Sequence, residues 1–174
     1  MALTGTIRAF GLRDIKLTPL PSGTQVDLPY AMTMTFKEVL TQGELRGDDS
    51  TVAINAFTDK AEWELEAGAI SLEAWALITG RSIALTGTTP NQINTYSGKA
   101  GDTYPYFKIY GKSLGDSADD VHVKILKAKC TGGIEGEFKD GQFWVTKCSG
   151  VAVDNGTAIF QVVQNETATN LPTS

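Results

Sequence analysis

The chain has 174 residues, a net charge of −5 and an isoelectric point near 4.9. Its 41% hydrophobic and 20% charged residues are typical of a globular domain rather than a disordered chain. The acidic balance argues against binding to nucleic acid or to an anionic membrane, because phosphate groups would be repelled. No run of roughly 18 apolar residues is present, so no membrane helix is expected. We expect residues 1–174 to form one domain.

The cysteines and the first residues indicate a reducing compartment. Residues 1–6 contain no basic stretch followed by an apolar run, so we expect folding in a cytoplasm. Cys130 and Cys148 are not at metal-ligand spacing, and the single His122 gives them no partner. The sequence therefore predicts two small buried thiols without a disulfide, no metal site and no cofactor.

The first third of the chain alternates between short strands and polar connections. Strands are predicted at residues 6–10 and 15–19, and a longer one at residues 30–40, where apolar and polar side chains alternate. The alternating residues of this longer strand are Met32, Thr33, Met34, Thr35, Phe36 and Lys37. Residues 40–58 are predicted to be an extended, polar, glycine-containing loop, with a weaker strand over residues 51–57.

The most informative segment is residues 60–67, which alternates strictly between apolar and acidic side chains. Glu62, Glu64 and Glu66 share one face of the predicted strand. The opposite face carries Ala61, Trp63, Leu65 and Ala67. Three carboxylates in register repel one another, so the sequence accepts a cost that indicates a functional role for the acidic face.

A short helix is predicted at residues 71–79. Ser71 is a suitable N-cap, and Gly80 can adopt the left-handed conformation that ends a helix. Ile70 and Trp75 stand at the positions of a hydrophobic staple. The predicted inward face consists of Leu72, Trp75, Ala76 and Thr79, and Leu77 and Ile78 widen its apolar side.

The second half of the chain reads as β-structure again. Residues 86–102 are predicted to be a loop, and the dipeptides Asp140-Gly141 and Asn155-Gly156 to be hairpin turns. The predicted strands are residues 104–112, 121–129, 134–139, 142–153 and 157–164. The apolar positions change parity between Ile125 and Leu126, which indicates either a β-bulge or a strand that is buried on both faces. The tail, residues 165–174, is polar and is predicted to be flexible.

These eight or nine strands and one helix predict a mainly β protein. We expect a β-sandwich or small barrel with the helix, about residues 71–79, flanking one opening or face.

Residues 30–40 and 60–67 are expected to pair antiparallel. A register with Met34 opposite Trp63 makes one face entirely apolar and the other entirely polar. The polar pairs in this register are Thr35 with Glu62 and Thr33 with Glu64.

Three motifs in this order resemble a known family. They are Gly-Glu-Leu-Arg-Gly-Asp-Asp at residues 43–49, Lys-Ala-Glu-Trp-Glu-Leu-Glu at residues 60–66, and Gly-Ala-Ile-Ser-Leu-Glu-Ala at residues 68–74. Together they resemble the major tail tube proteins of long-tailed, non-contractile bacteriophages, which are related to the tube proteins of type VI secretion. The resemblance covers about residues 30–80 and includes no catalytic fingerprint.

The resemblance implies a structural role in a virion. Members of this family form a β-sandwich with a flanking helix, six copies join their inner sheets into a ring, and rings stack into the tube through which DNA leaves. The implied partners are other copies of the chain, the tail-tip initiator, the tape measure protein and the tail terminator. The implied location is the virion tail, assembled in the cytoplasm of the bacterial host. DNA would pass without specific binding, and no membrane is involved.

The resemblance also assigns roles to individual residues. The residues expected to face the lumen are Glu62, Glu64, Glu66, Thr33 and Thr35. A wall of carboxylates repels phosphates, so DNA would slide along it without sticking. The residues expected to contact a neighbouring subunit or ring are Glu44, Arg46, Asp48 and Asp49. The residues expected to pack in the core and under the helix are Trp63, Leu65, Leu72 and Trp75.

Other readings of the same residues remain open. The three glutamates fit an ordinary solvated strand face. A monomeric carbohydrate-binding β-sandwich would use exposed aromatic rings such as Tyr104, Tyr106 or Trp144. A related ring protein of a contractile or secretion apparatus would also fit. An enzyme is not expected, because carboxylates on a single strand have no difference in environment that would separate an acid from a base.

Overall fold

Ten strands and one helix follow one another in the part of the chain that the computed structural model describes, residues 6–48, 50–69, 71–115, 119–137 and 139–173. The strands are β1 (Phe10–Pro19), β2 (Val26–Asp27), β3 (Ala31–Gly47), β4 (Ser50–Ala67), β5 (Ile83–Thr86), β6 (Ile93–Tyr96), β7 (Tyr106–Leu114), β8 (Asp120–Glu137), β9 (Val145–Ala152) and β10 (Phe160–Asn165). The helix α1 spans Leu72–Thr79. The prediction of a mainly β protein with one short helix is confirmed. No helix among the described residues is long and apolar enough to cross a membrane.

One antiparallel sheet holds eight of the strands, in the order β2-β1-β7-β8-β9-β4-β3, and β10 also pairs with β8. In a flat sheet β4 and β7 would be about 14 Å apart, since neighbouring strands are spaced by about 4.8 Å. The rings of Trp63 on β4 and Phe107 on β7 are instead 5.6 Å apart, edge to face. The sheet therefore folds over on itself, and its two halves enclose the core.

The long strand β8 joins the two halves of the sheet. Its first part pairs with β7 and β10, and its second part pairs with β9. The sheet registers shift between Phe107 and Ile109 on β7 and between Cys130 and Ile134 on β8. The first shift lies opposite Ile125 and Leu126, so the predicted bulge is confirmed. Cys130 and Cys148 are both buried thiols, as predicted.

The core forms between the sheet halves and below the helix. It contains Ile15, Leu17, Ala61, Trp63, Leu65, Ala74, Ile78, Phe107, Ile109, Ile125, Ala128, Cys130, Cys148 and Ala152. Close backbone approach is required at Gly150, where a Cβ would overlap the carbonyl oxygen of Lys129 and lie 2.7 Å from the Trp63 ring. The side of β9 that faces Trp63 therefore has no room for a side chain at this position.

The helix begins and ends where the sequence predicts. The Ser71 hydroxyl accepts a hydrogen bond from the Ala74 backbone N–H at 3.3 Å, and Gly80 closes the helix with φ 72°. The inward face agrees with the prediction in part, because Ile78 and Thr79 are buried as expected and Ala74 is buried too, whereas Leu72 and Trp75 are only half-buried. The Trp75 ring packs against two other rings. These are Tyr96 at 5.6 Å and Trp144 at 6.4 Å. Ile70, the other staple residue, lies outside the described residues.

The prediction of a loop over residues 40–58 is wrong, whereas the weaker strand expected at residues 51–57 is confirmed, because it lies within β4. Both sides of this segment are paired strands, because β3 and β4 continue as one hairpin to a turn between Gly47 and Ser50. Backbone hydrogen bonds between the strands satisfy the polar groups that a loop would leave to water. Asp48 has φ 44° in the turn, and the Ser50 hydroxyl donates to the Gly47 carbonyl at 3.2 Å.

The predicted register of β3 and β4 is correct in its faces and wrong by two residues. Phe36, not Met34, lies opposite Trp63, and Met34 lies opposite Leu65. A shift by two keeps every side chain on its predicted face, so alternation alone could not distinguish the two registers. The position of the turn and bulges after Ala31, Val39 and Leu45 set the observed one.

Two predicted connections also differ from the structure. The predicted loop at residues 86–102 contains strand β6, which forms a separate small hairpin with β5 at the start of the loop. Asn155-Gly156 does not form a hairpin turn, because β10 pairs with β8 rather than with β9. Both β9 and β10 pair with the same edge of β8, and residues 153–159 connect them. The Asn155 side chain orders this connection by accepting hydrogen bonds from the backbone N–H groups of Thr157 and Ala158.

The tail predicted to be flexible is packed against the body. Leu171 is buried, and the Gln25 side chain donates to the Pro172 carbonyl at 2.8 Å. The fully buried Asp120 carboxylate anchors the segment by accepting from the Thr169 backbone N–H at 2.7 Å and from the Asn165 amide at 2.6 Å.

The Asp120 carboxylate also contacts two basic side chains. His122 is buried 3.0 Å from Asp120, and the Lys112 ammonium lies 3.1 Å from the Asp120 carboxylate. Burial opposes ionisation of Asp120, but the hydrogen bonds from Asn165, Thr169 and Lys112 outweigh it and lower the pKa of this carboxyl to about 2. These partners are far apart in sequence, which is why the tail's composition alone did not reveal them.

We predict that Gly150→Ala lowers the free energy of unfolding by about 2–3 kcal/mol, because the added methyl group must displace the Lys129 carbonyl or the Trp63 ring. Gly43→Ala is the matched control, since a Cβ there meets no atom within 4 Å. Chemical denaturation of both variants as dilute monomers measures the difference. Equal stabilities of the two variants would contradict the close packing of β8, β9 and β4.

We predict that Asp120→Asn lowers the free energy of unfolding at pH 7 by about 2–4 kcal/mol, because it leaves the mostly buried Lys112 ammonium without its counter-charge and weakens the hydrogen bonds from Asn165 and Thr169. Asp27→Asn, which removes an exposed ion pair of 3.4 Å with Lys16, should cost less than about 1 kcal/mol. Since the pKa of Asp120 is lowered from 3.8 to about 2, its contribution is complete above pH 3.8 and is lost as the pH falls through about 2. The check is the free energy of unfolding of wild type and Asp120→Asn, measured as the pH falls from 3.8 to about 2. An equal loss of stability in the two proteins would contradict this prediction.

Candidate functional site: an acidic sheet face and a projecting hairpin arm

Strand β4 holds three carboxylates on one outer surface of the sheet. Its apolar residues, Ala61, Trp63, Leu65 and Ala67, are at most 2% exposed. Because successive side chains on a strand point to opposite faces, burial of this set forces the glutamates outward. Glu62 and Glu64 are exposed and Glu66 is half-buried. We call the outer surface of β3, β4, β9 and the second part of β8 the acidic face.

Lysines partly neutralise the acidic face. The Lys147 ammonium on β9 lies 3.2 Å from the Glu66 carboxylate, and Lys37 on β3 is the cross-strand partner of Glu62. Thr33 and Thr35 lie opposite Glu66 and Glu64 and complete the polar rows. On β8, Glu135 pairs with Lys147 across the strands.

The sequence predicted Glu62, Glu64, Glu66, Thr33 and Thr35 on this face but did not assign Lys37, Lys147 and Glu135 to it. Lys37 was visible as the next polar residue after Thr35 in the alternating pattern. Lys147 and Glu135 could not be assigned to the face, because their place depends on pairing between strands far apart in sequence.

The acidic face contains a broad, open depression. Its volume is about 580 Å³, and its polar walls include Thr35, Lys37, Glu62, Glu64 and Ser149. In the described ranges, no group of three or more His, Cys, Asp or Glu side chains is placed to hold a metal ion. The depression offers a polar, mixed-charge surface.

The distal half of the β3–β4 hairpin projects beyond the rest of the sheet. Strand β9 pairs with β4 only from Ala61 to Ala67, so residues 50–60 of β4 have β3 as their strand partner. At about 3.3 Å per residue, these eleven positions extend roughly 35 Å. We call residues 40–58 the arm.

The arm exposes an unusual amount of apolar surface for a hairpin. Five of its large apolar side chains are 48–64% exposed. They are Leu40, Leu45, Val52, Ile54 and Phe57. An exposed apolar hairpin is a typical site for contact with another chain. The predicted contact residues Glu44, Arg46 and Asp48 are exposed on this arm, and Asp49 lies outside the described residues.

The half of the sheet that carries the acidic face has two open edges. Among the described residues, β3 pairs with β4 alone, so the outer edge of all its 17 residues is free. At the other side, β7 pairs with β8 only up to Lys129, so the part of β8 from Cys130 to Glu137 has β9 on one edge and, in the described ranges, no strand on the other. Free edges of this length are ready for pairing with another strand.

The aromatic rings suggested for carbohydrate binding do not form a shared platform. Trp144 packs against Trp75, and its indole N–H donates to the Thr146 hydroxyl at 3.1 Å. Tyr104 lies under the Arg81 guanidinium at 5.7 Å. Only Tyr106 of the three is exposed, at 37%, and it lies between two lysines.

Comparisons with known proteins add little to this geometry. No protein-family model matches the chain, and no curated protein matches its sequence. One chain of a solved structure, the "Cryo-EM structure of the anti-feeding prophage (AFP) baseplate, 6-fold symmetrised", is similar over 94% of this chain and 97% of its own. The two share 8% identity with a TM-score of 0.49. A likeness at this level establishes neither a shared fold nor a shared role.

Proposed function

We propose that this chain is the major tail tube subunit of a long-tailed bacteriophage. Six copies would close into a ring by joining their acidic-face sheets, and rings would stack into the hollow tube through which DNA is ejected. The role is structural and includes no catalysis and no cofactor. The subunit would be assembled in the cytoplasm of the bacterial host and reside in the virion tail.

The observation that carries this proposal is the four-stranded half-sheet β3-β4-β9-β8 with one free edge at each side. Head-to-tail pairing of the β3 edge of one copy with the β8 edge of the next uses both edges, and such heterologous contacts close into a ring when the rotation permits. The joined sheets would then form one continuous barrel without edges. A monomeric binding module gives no reason for two long open edges.

The acidic face suits the inner wall of such a barrel. Its opposite face packs on the core, so only this surface is available to line a lumen. Glu62, Glu64 and Glu66 would repeat around the ring with Thr33 and Thr35 between them. Since Glu66 is paired with Lys147, the main repulsion toward DNA phosphates would come from Glu62 and Glu64. DNA would therefore pass without specific binding.

The arm suits contact between subunits or rings. Its exposed apolar side chains would be buried against a neighbour, at a gain of roughly 25 cal/mol per Å² of apolar surface. The resemblance to tail tube proteins adds the remaining partners of the proposal, which are the tail-tip initiator, the tape measure protein and the tail terminator.

We predict that removing the arm abolishes tube formation without unfolding the body. In the test variant, residues 41–57 are replaced by Asn-Gly, which joins the paired residues Leu40 and Thr58 by a two-residue turn. Electron microscopy should show no tubes, while the circular dichroism spectrum and cooperative unfolding remain. Tubes of normal appearance from this variant would contradict the role of the arm.

We predict that the double variant Glu62→Lys/Glu64→Lys forms tubes but hinders DNA passage, because lysines in the lumen attract phosphates. Complementation of a phage that lacks the subunit would give assembled particles with much lower infectivity. The control Asp140→Lys/Glu166→Lys makes the same charge change at exposed positions away from the acidic face. Equal infectivity of the two double variants would contradict the lumen assignment.

A further inference from the structure

A cluster of lysines surrounds an exposed tyrosine where β7 meets β8. The ammonium groups of Lys127 and Lys129 each lie 5.1 Å from the centre of the Tyr106 ring. Lys108 lies on the same outer face of β7, two residues after Tyr106, and Lys127 belongs to the bulge opposite it. We call Tyr106, Lys108, Lys127 and Lys129 the basic cluster.

The basic cluster lacks a counter-charge within the subunit. None of its three lysines forms an ion pair with an acid among the described residues, although the chain has a net charge of −5. Like charges on adjacent strands repel one another, and an ammonium over an aromatic ring recovers only about 0.5–1 kcal/mol at an exposed site. An acidic surface of another chain would stabilise this arrangement.

The arm presents a surface of complementary chemistry. Alternation along β3 places Glu38, Leu40 and Glu44 on the same side of the hairpin as the core-facing Phe36, and the cross-strand partner of Glu44 is Ile54. Glu38 and Glu44 are exposed and form no ion pair in the described chain. This side of the arm therefore carries aliphatic side chains between two carboxylates. This surface is complementary to the basic cluster, in which the Tyr106 ring lies between lysines.

The strand registers bring these two surfaces to the same level. Glu38 lies opposite Ala61, Ala61 opposite Ala152, and Ala152 opposite Ala128, so Glu38 and Ala128 end one row across the half-sheet. A second copy whose β3 continues the sheet along the open edge of β8 would bring its own Glu38 level with Ala128, on the core-facing side of the sheet, whereas Lys129 and Tyr106 lie on the outer side. Since β7 pairs with β8 from Lys129 back to Asp120 and the core fills the inner side, the second copy's β3 must leave the edge on the outer side. The side of its arm that carries Glu38 then faces Tyr106 and the lysines.

We propose that the basic cluster is the docking site for the arm of a second copy of this chain. The Leu40 and Ile54 side chains pack on the Tyr106 ring, and Glu38 and Glu44 pair with the lysines. This contact rests on the proposed ring and defines its directionality, since it joins unlike surfaces of identical subunits.

Charge reversal on each side tests this contact. The cluster variant is Lys127→Glu/Lys129→Glu, and the arm variant is Glu38→Lys/Glu44→Lys. Each alone should raise the protein concentration needed for oligomers by about 10-fold or more, because every contact then joins like charges. An equimolar mixture of the two variants should recover assembly, since the arm of each is complementary to the cluster of the other. Sedimentation velocity across a concentration series measures both effects.

A matched control and the possible outcomes separate this inference from the proposed ring. The control Lys99→Glu/Lys139→Glu reverses two exposed lysines outside the basic cluster and should assemble like wild type. If wild type assembles and both reversed variants assemble equally well, or if their mixture does not recover assembly, the docking site is wrong while the ring stands. If wild type stays monomeric at every concentration, the docking contact and the proposed ring are both contradicted. Thermal unfolding of each variant confirms that the reversed subunits are folded.

Discussion

The structure depends on strand β4, whose alternate side chains face the core on one side and the outer surface on the other. In β4, Trp63 and Leu65 fill the core, and the same alternation fixes Glu62 and Glu64 on the outside. Moving the carboxylates would require a register change that also exposes the tryptophan, so the core's stability holds the acidic face in place. Gly150 on β9 contributes, because only a residue without a Cβ lets β8, β9 and the Trp63 ring come together.

The isolated subunit leaves its most extended strands incomplete. Beyond Lys60 the β3–β4 hairpin loses the support of β9 and exposes Leu45, Ile54 and Phe57, while the outer edge of β3 has no partner among the described residues. These are features that monomeric β proteins avoid, since open edges and apolar hairpins promote association. At the other side of the half-sheet, the lysines of the basic cluster form no ion pair among the described residues. Head-to-tail association of identical subunits would account for the open edges, the arm and the lysines together.

Local patterns in the sequence predicted local structure well. The alternation at residues 60–67, the Ser71 and Gly80 caps and the bulge near Ile125 each depend on neighbours within a few residues. Features set by distant contacts were missed. The two-residue register error arose because both registers satisfy the same alternation, and the buried tail depends on Asp120, which is 49 residues from Thr169. The same holds for the candidate site. The local alternation predicted the glutamates, whereas the place of Lys147 depends on the pairing of β4 with β9.

The most direct test of the central claim is a cryo-electron microscopy reconstruction of the particles that the purified full-length chain forms at high concentration. The account predicts hollow six-fold rings or stacked tubes in which β3 of one subunit continues the sheet at β8 of the next, with Glu62 and Glu64 on the inner wall. Rings with these glutamates on the outer surface, or a chain that remains monomeric at every concentration, would contradict it.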